Sequence, residues 1–494
     1  MALALALATG ASVPFTTYEA EDAASTGAPI GPDRRVGTLA AEASGRRAVM
    51  LARTGQDVTF TLTAPADALT LRYAIPDSRD GRGRASRIAV YVAGRRIAEI
   101  ALTSRYGWFY GRYPFSNDPR DGAAHHFYDH ARLRMPAALP AGTRLTLRRE
   151  ATDIDWIAID LIDAELAPPP KPMPAGAVSV VSFGADASGI RNALPAFRRA
   201  IAAARRNSRP VWIPPGRYRL PGHLVVDRVT IAGAGLWYSE LRGAGVGLYG
   251  RTAPPGSRDV HIRDLAIIGE VDARKDHEQL AAIGGALNDA IIEDLWLQHE
   301  KVGMWLDGPM TRLRVRRLRI LDQVADGVNF HRGVTDSVVE DSFVRSTGDD
   351  GLAMWSHGQE NAGNAFRRNT VTLPMLANGI AIYGGRDITI SDNLIADTVT
   401  QGGGLHLGSR FDATPFAGTI TLSGNTILRG GSWDPNWRSG IGALWFYAFD
   451  HPIDAHIVVT GTHFVDSSHG DVSTVGTLPI RGVTIDGAPL SRAP

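Results

Sequence analysis

Residues 321–358 read LDQVADGVNFHRGVTDSVVEDSFVRSTGDDGLAMWSHG, and their spacing decides the fold. The phrase Ala325-Asp326-Gly327-Val328-Asn329-Phe330 returns 24 residues later as Asp349-Asp350-Gly351-Leu352-Ala353-Met354. Short β-type runs broken by Gly, Asn and Asp at such a period are the mark of a parallel β-helix, one period to each coil. Neighbouring coils pair as parallel strands about 4.8 Å apart. Asp326 and Asp350 are therefore expected one above the other, with Asp349 beside them. Carboxylates that close cannot all ionise cheaply, so one is held protonated next to an ionised neighbour.

The register extends in both directions. Gly-apolar-x-apolar recurs at Gly303, Gly327, Gly351, Gly379, Gly404 and Gly442, at intervals of 24, 24, 28, 25 and 38 residues. A second ladder, Leu295, Leu318, Ser342, Asn369, Asn393 and Asn425, steps by 23, 24, 27, 24 and 32. The long last step predicts an inserted loop, Gly430 to Gly440, that carries Trp433 and Trp437. Asp294, Asp341 and Asp392 share a column with Arg317 and Arg368, which marks them as turn or surface charges. The column of Asp326 and Asp350 holds Val302 in the coil before and Asn378 in the coil after, so acid is confined there to two adjacent coils.

Upstream, Val178 to Asp186, an amphipathic helix from Ala193 to Arg206 and a strand through Val211-Trp212-Ile213 open the solenoid. The helix is expected to cover the exposed first coil, which would otherwise offer an open edge. The solenoid domain spans 177–490. Residues 17–167 carry alternating short strands such as Val58 to Leu62 and Leu69 to Ala74 without helical periods, which argues for a β-sandwich. Residues 168–176 are a stiff Pro-rich linker. Residues 1–16 are a leader whose start, MALALALATGAS, reads as a clipped secretion signal, so the protein is expected to be secreted. The fold class is all-β: a sandwich followed by a helix-capped parallel β-helix.

Composition narrows the function classes. The 494 residues have a formal net charge of +1, no cysteine and no block of like charge. Disulfides, thiolate metal sites and cysteine nucleophiles are excluded, and nothing in the charge pattern suits nucleic acid or an anionic membrane. No run of 18 apolar residues follows the leader. A monomer acting on an uncharged substrate, without a catalytic cofactor, is expected.

Clustered carboxylates without a serine elbow or histidine-rich metal pattern suit hydrolysis of a glycosidic bond: one acid protonates the leaving oxygen while another carboxylate activates water or attacks the sugar. Rings on the same face would form subsites. His331, Trp355 and Tyr383 share one outward column, Trp305 and His406 another, and Trp433, Trp437 and Trp445 add a wall. In the first domain Tyr106, Trp108, Tyr110 and Tyr113 are candidates for stacking on sugars. His125 and His126 read as a buried loop anchor.

The first domain resembles carbohydrate-binding modules of families 6 and 35, through Tyr18-Glu19-Ala20-Glu21-Asp22-Ala23, Leu71-Arg72-Tyr73-Ala74 and Ile154-Asp155-Trp156-Ile157. That resemblance implies a structural calcium on Glu19, Glu21 and Asp160, with Asp155 as a rival ligand. The strand, helix and strand at Val178 to Tyr218 resemble the entry of pectin-lyase-like right-handed β-helices. Ala325-Asp326-Gly327 followed by Gly348-Asp349-Asp350-Gly351 resembles the catalytic trio of two glycoside hydrolase families, the polygalacturonases of family 28 and the α-1,3-glucanases and mycodextranases of family 87. The module and the aromatic, weakly charged coil face make family 87 the closer match.

The match to family 87 implies an inverting, endo-acting hydrolase of α-1,3-glucan or nigeran, with Asp349 as general acid and Asp326 and Asp350 activating water. One tension follows: coils about 4.8 Å apart bring the acids closer than the roughly 6.5–9.5 Å of usual inverting pairs. Two alternatives stay open. A polygalacturonase-like enzyme would need basic subsites, for which Arg332, Arg386 and Arg410 are the candidates. A non-catalytic adhesin would place acids at many coil turns.

Overall fold

The computed structural model describes residues 9–113 and 115–490. It is nearly all-β, with an N-terminal β domain followed by a solenoid of about 11 turns. Two units divide the chain. One holds residues 13–169 and, unexpectedly, the segment 272–277, and the other holds residues 9–12, 170–271 and 278–490.

The first unit packs a six-stranded against a five-stranded sheet, both antiparallel. Alternation drives it: in Asp57–Thr61 only Val58 and Phe60 are buried, and in Arg144–Arg148 only Leu145 and Leu147. These strands pair with Phe60 opposite Leu145, so the inward sets meet across the ladder. His125 and His126 are largely buried and burial pushes both imidazoles down, His125 to about 4, as a neutral anchor requires.

The solenoid builds two long parallel sheets, of 22 and 10 strands. In the shorter sheet Val328, Phe330, Leu352, Met354, Ile380 and Ile382 point inward and are fully buried, while the residues between them point out. The ladder glycine has a steric cause. A Cβ on Gly327 would stand 2.3 Å from the Gly351 carbonyl oxygen of the next coil. The second ladder is a column of buried amides: the Asn369 backbone N–H donates to Asn393 Oδ1 (2.9 Å) and that of Asn393 to Asn425 Oδ1 (3.0 Å).

On the outer turns, Arg317 reaches Glu293 (2.7 Å) and Asp294 (2.8 Å), and Arg368 reaches Glu340 and Asp341 (both 2.8 Å). Asp294, Arg317, Asp341, Arg368 and Asp392 all turn the chain at φ of 51–56°, where short or exposed side chains are tolerated best. The capping helix Leu194–Arg206 buries Leu194, Phe197, Ile201 and Ala204 along one face. The expected insertion is a hairpin, Ser432–Asp434 paired antiparallel with Ser439–Ile441. Of the leader, residues 1–8 lie outside the described residues. Gly10 and Ala11 bind the solenoid through Asp392 O (2.9 Å) and Thr370 Oγ1 (3.0 Å).

Candidate active site

Parallel pairing puts Asp326 and Asp350 on successive coils, with Gly303 N–H donating to Asp326 O and Gly327 N–H to Asp350 O (both 3.1 Å). Asp349 precedes Asp350 on a turn that needs Gly348, because a Cβ there would meet Val324 O at 2.1 Å. Thr347 Oγ1 ties the Asp349 carbonyl (2.8 Å), and Asp350 N–H donates to Asp349 Oδ1 (3.1 Å). The three carboxyl groups bring oxygens within 4.8 Å of one another. The close trio expected from the register is therefore present.

Asp350 is the most deeply held. Asn378, which replaces acid in the next coil, donates to Asp350 Oδ1 from its backbone N (2.9 Å) and its Nδ2 (2.8 Å). Tyr383 donates its hydroxyl to Oδ2 (2.9 Å). Burial, then the charge of Asp349, pushes Asp350 up to about 7 against these donors. Asp326 accepts from Asn329 Nδ2 at 2.8 Å. Asn378 is fixed in turn: its Oδ1 accepts from Trp445 Nε1 (2.7 Å) and Gly403 N (2.9 Å). The sequence marked Asn378 only as the place where acid stops. Its register position was the available signal for the residue that grips Asp350.

The aromatic columns form as spaced. Asp307, His331, Trp355 and Tyr383 align across successive strands, as do Trp305, Asn329, Ala353, Ala381, His406 and Trp445. Their roles divide. Trp305, His331 and Trp355 form a cluster, with His331 4.9 Å from each tryptophan ring and the two tryptophans 6.5 Å apart. His331 also pairs with Asp307 (3.0 Å) and, through Nε2, with His357 Nδ1 (3.2 Å), two partners the sequence reading missed.

Tyr383, His406 and Trp445 need correction as sugar-facing rings. Each is buried, because the loop after residue 409 and the inserted hairpin cover them. Tyr383 and Trp445 position Asp350, and His406 stacks on Trp445 at 3.7 Å behind the wall. Exposed rings there are Trp433 (45%), Trp437 (41%), Phe411 (52%) and Phe449 (62%). Trp437 packs edge-on to Tyr447 at 5.5 Å.

Two further expectations in the first unit also change. Tyr110 is buried with its hydroxyl on Asp77 (2.8 Å), and Trp108 donates Nε1 to Ile75 O (2.9 Å) while packing on Phe127. Both are packing residues. Tyr106 is half-buried and Tyr113 exposed, with Arg105 and Arg274 over their rings at 5.2 and 4.8 Å. Of the calcium candidates, Asp160 is taken by other partners: Oδ2 pairs with Arg72 (2.6 Å) and Oδ1 accepts from Ser44 N (3.0 Å). Glu19 Oε1 accepts from Ser44 Oγ (2.9 Å). Glu21 keeps a buried Oε2 without a hydrogen-bond donor, and burial first of all pushes its carboxyl up to about 7. Glu21 and Glu19 fit a hard cation better than Asp160 does.

Comparison with known proteins agrees with this geometry. Residues 12–167 match the family model for the α-1,3-glucanase catalytic domain D1, and residues 185–466 that for domain D2. The first unit, which by sequence resembles a carbohydrate-binding module, thus matches a domain described as part of a catalytic unit. A search of curated proteins gave no match. Among solved structures, the catalytic unit of a thermostable GH87 α-1,3-glucanase from Streptomyces thermodiastaticus strain HF3-3 is 40% identical, with a TM-score of 0.88 over 96% of this chain and 86% of that one. The Agl-KA catalytic domain is 26% identical, with a TM-score of 0.86 over 96% of this chain and 87% of that one. A GH87 α-1,3-glucanase catalytic domain solved in complex with nigerose is 27% identical, with a TM-score of 0.81 over 94% and 86%. Two family models spanning most of the chain and a relative at 40% identity place it plainly: this protein belongs to the α-1,3-glucanases of glycoside hydrolase family 87 and carries their catalytic unit.

Proposed function

We propose that the protein is a secreted, endo-acting hydrolase of internal α-1,3-glucosidic bonds in α-glucan or nigeran that inverts the anomeric centre. The observation that carries this reading is the trio Asp326, Asp349 and Asp350 on the coil face that carries the Trp305, His331 and Trp355 rings. Solved GH87 α-1,3-glucanase catalytic domains include three Asp-to-Ala variants at positions 23 and then 1 residue apart, crystallised with nigerose or tetrasaccharides. Asp326, Asp349 and Asp350 have the same spacing.

The roles follow from hydrogen bonding. Both oxygens of Asp350 accept donors, which favours its carboxylate form against burial and the Asp349 charge and leaves Asp349, half-buried at the edge of the trio, as the general acid. Asp349 then protonates the leaving oxygen, while Asp350 and Asp326 hold and deprotonate the water. The trio is tighter than the usual separation of an inverting pair, so the anomer of the first product, resolved by NMR, is the direct check. The β anomer is expected, and the α anomer would replace inversion by retention.

Endo action is supported by rings on both sides of the acids. Trp305 and Trp355 lie at one end, and the exposed Phe411 and Trp437 with the half-buried Tyr447 at the other; the coils of Trp305 and Tyr447 are five steps apart, about 24 Å, room for several glucosyl units. A neutral substrate is favoured because Arg332 is paired with Asp307 (3.0 Å) and Arg386 with Glu360 (2.9 Å). The deciding experiment is reducing-sugar release from α-1,3-glucan, nigeran, dextran and polygalacturonate. Release from the first two is expected. Activity on polygalacturonate alone would overturn the substrate.

Three predictions accompany this reading. Asp350, which must be ionised to deprotonate the water, is held protonated up to about 7 by burial and the Asp349 charge, so activity should rise as pH rises through about 7. Tyr383→Phe removes a donor that favours ionised Asp350, so the proton affinity of the pair rises. The whole pH profile of kcat/KM should move up by about one pH unit and its maximum should drop about 10-fold. An unmoved profile would remove Tyr383 from the mechanism. In the first domain, calcium held by Glu19 and Glu21 would stabilise the fold by mass action. Excess calcium added to chelator-treated protein should raise its melting temperature, and Glu21→Gln should abolish that rise.

A further inference from the structure

We propose that Arg410 contacts substrate and fixes the glucosyl unit on the C-terminal-coil side of the acids. This rests on the α-1,3-glucanase reading above. Of the three arginines that the sequence offers near this face, Arg332 and Arg386 are neutralised by carboxylates. Arg410 makes no ion pair or hydrogen bond through its guanidinium among the described residues. Its Nε is buried without an acceptor, whereas its terminal nitrogens reach solvent. A charged fork with five N–H donors and no acceptor partner is unusual inside an aromatic wall.

The guanidinium lies over four rings: Phe411 at 4.2 Å, Tyr447 at 5.4 Å, Trp445 at 5.6 Å and Tyr383 at 5.8 Å. Cation–π attraction offsets part of its lost hydration and limits its rotamers. Two of these rings lead to Asp350. Tyr383 binds it directly, and Trp445 holds the Asn378 side chain that binds it. Arg410 therefore shares one rigid frame with the acids.

The backbone around Arg410 is held as well. Trp355 Nε1 donates to Phe411 O (2.9 Å), and Thr414 N–H donates to Ser356 O (3.0 Å). The loop after the strand Leu405–Ser409 is thus drawn back over earlier coils. A donor preorganised in this way gives orientation at small entropic cost. Neutral sugars present hydroxyl oxygens in adjacent pairs, which suit the two terminal nitrogens of a guanidinium. Phe411 beside it is exposed, and so is Trp437, which packs on Tyr447.

The competing account is that Arg410 only fills the wall. The test measures calorimetric binding of nigerose and of longer α-1,3-linked oligosaccharides to the Asp349→Asn protein, with and without Arg410→Ala or Arg410→Lys. Arg410→Ala should weaken binding of the long oligosaccharides about 10- to 100-fold and leave nigerose little changed, with partial recovery in Arg410→Lys and an unchanged melting temperature. An equal loss at every length, no loss, or a loss that follows a lower melting temperature would overturn the proposal. Wild-type release of reducing sugar from α-1,3-glucan separates the two failures. Without it the substrate reading falls; with it and unaltered binding, only Arg410 does.

Discussion

Asp349→Asn is expected to lower kcat on α-1,3-glucan by about 10³-fold, the scale of a lost general acid, with substrate binding and melting temperature close to wild type. Asp349 is half-buried at the open edge of the trio, and asparagine keeps its shape and can still accept from Asp350 N–H. What it lacks is a proton to give to the leaving oxygen. A leaving group that needs no proton should therefore rescue the variant: nigerosyl fluoride should be hydrolysed by Asp349→Asn at a rate approaching wild type. The same fluoride should not rescue Asp326→Asn or Asp350→Asn, because activation of water would still be missing. If fluoride rescued Asp350→Asn and left Asp349→Asn inactive, the acid and the base would exchange places. This outcome is a live test, since burial and the charge of Asp349 both raise the proton affinity of Asp350. The assignment favours Asp349 because three donors converge on Asp350, and a protonated Asp350 would face them with one oxygen unable to accept as before.

Much of this site was legible from register alone. A period of 24 residues placed Asp326 over Asp350, set the aromatic columns and marked Asn378 as the place where acid stops, but did not show that Asn329 and Asn378 hold the two carboxylates. Alternation told inward Phe330 and Met354 from outward His331 and Trp355. It did not tell what covers an outward residue. Tyr383, His406 and Trp445 point away from the core as expected, yet lie buried because residues after Ser409 and the hairpin Ser432–Ile441 fold over them. Loops of irregular length have no period, so Phe411 and Phe449 carried no signal. The segment 272–277 was hidden for a similar reason. It lies between two regular strands, and only the folded chain shows that Asp272 pairs with Arg105 (2.8 Å) in the first unit. Nor does the sequence reveal that Asp160, one of the calcium candidates, pairs with Arg72 on the neighbouring strand.

Asn393→Ala should destabilise the solenoid by about 4 kcal/mol, far more than Arg368→Ala, although the arginine makes the more conspicuous contacts. Asn393 is fully buried. Its Oδ1 accepts from Asn369 N (2.9 Å) and Asn369 Nδ2 (3.1 Å), and its Nδ2 donates to Phe366 O and Asn425 Oδ1 (both 3.0 Å). Truncation strands Asn369 N–H and takes the Asn393 donor from Phe366 O in a stack of coils where water has little access, while Asn369 Nδ2 keeps Val339 O (3.0 Å). Each buried polar group left without a partner costs about 1–3 kcal/mol. Arg368, by contrast, is 43% exposed and its carboxylate partners can be solvated when it is removed, so its ion pairs are worth at most about 1 kcal/mol. Because each coil contacts only its neighbours, the damage should concentrate in the coils of Asn369, Asn393 and Asn425. Hydrogen exchange should show those coils opening first, with little change at the capping helix. Equal denaturation midpoints for the two variants would mean that the amide ladder adds little, and that the glycine column and apolar core alone hold Asp326 above Asp350.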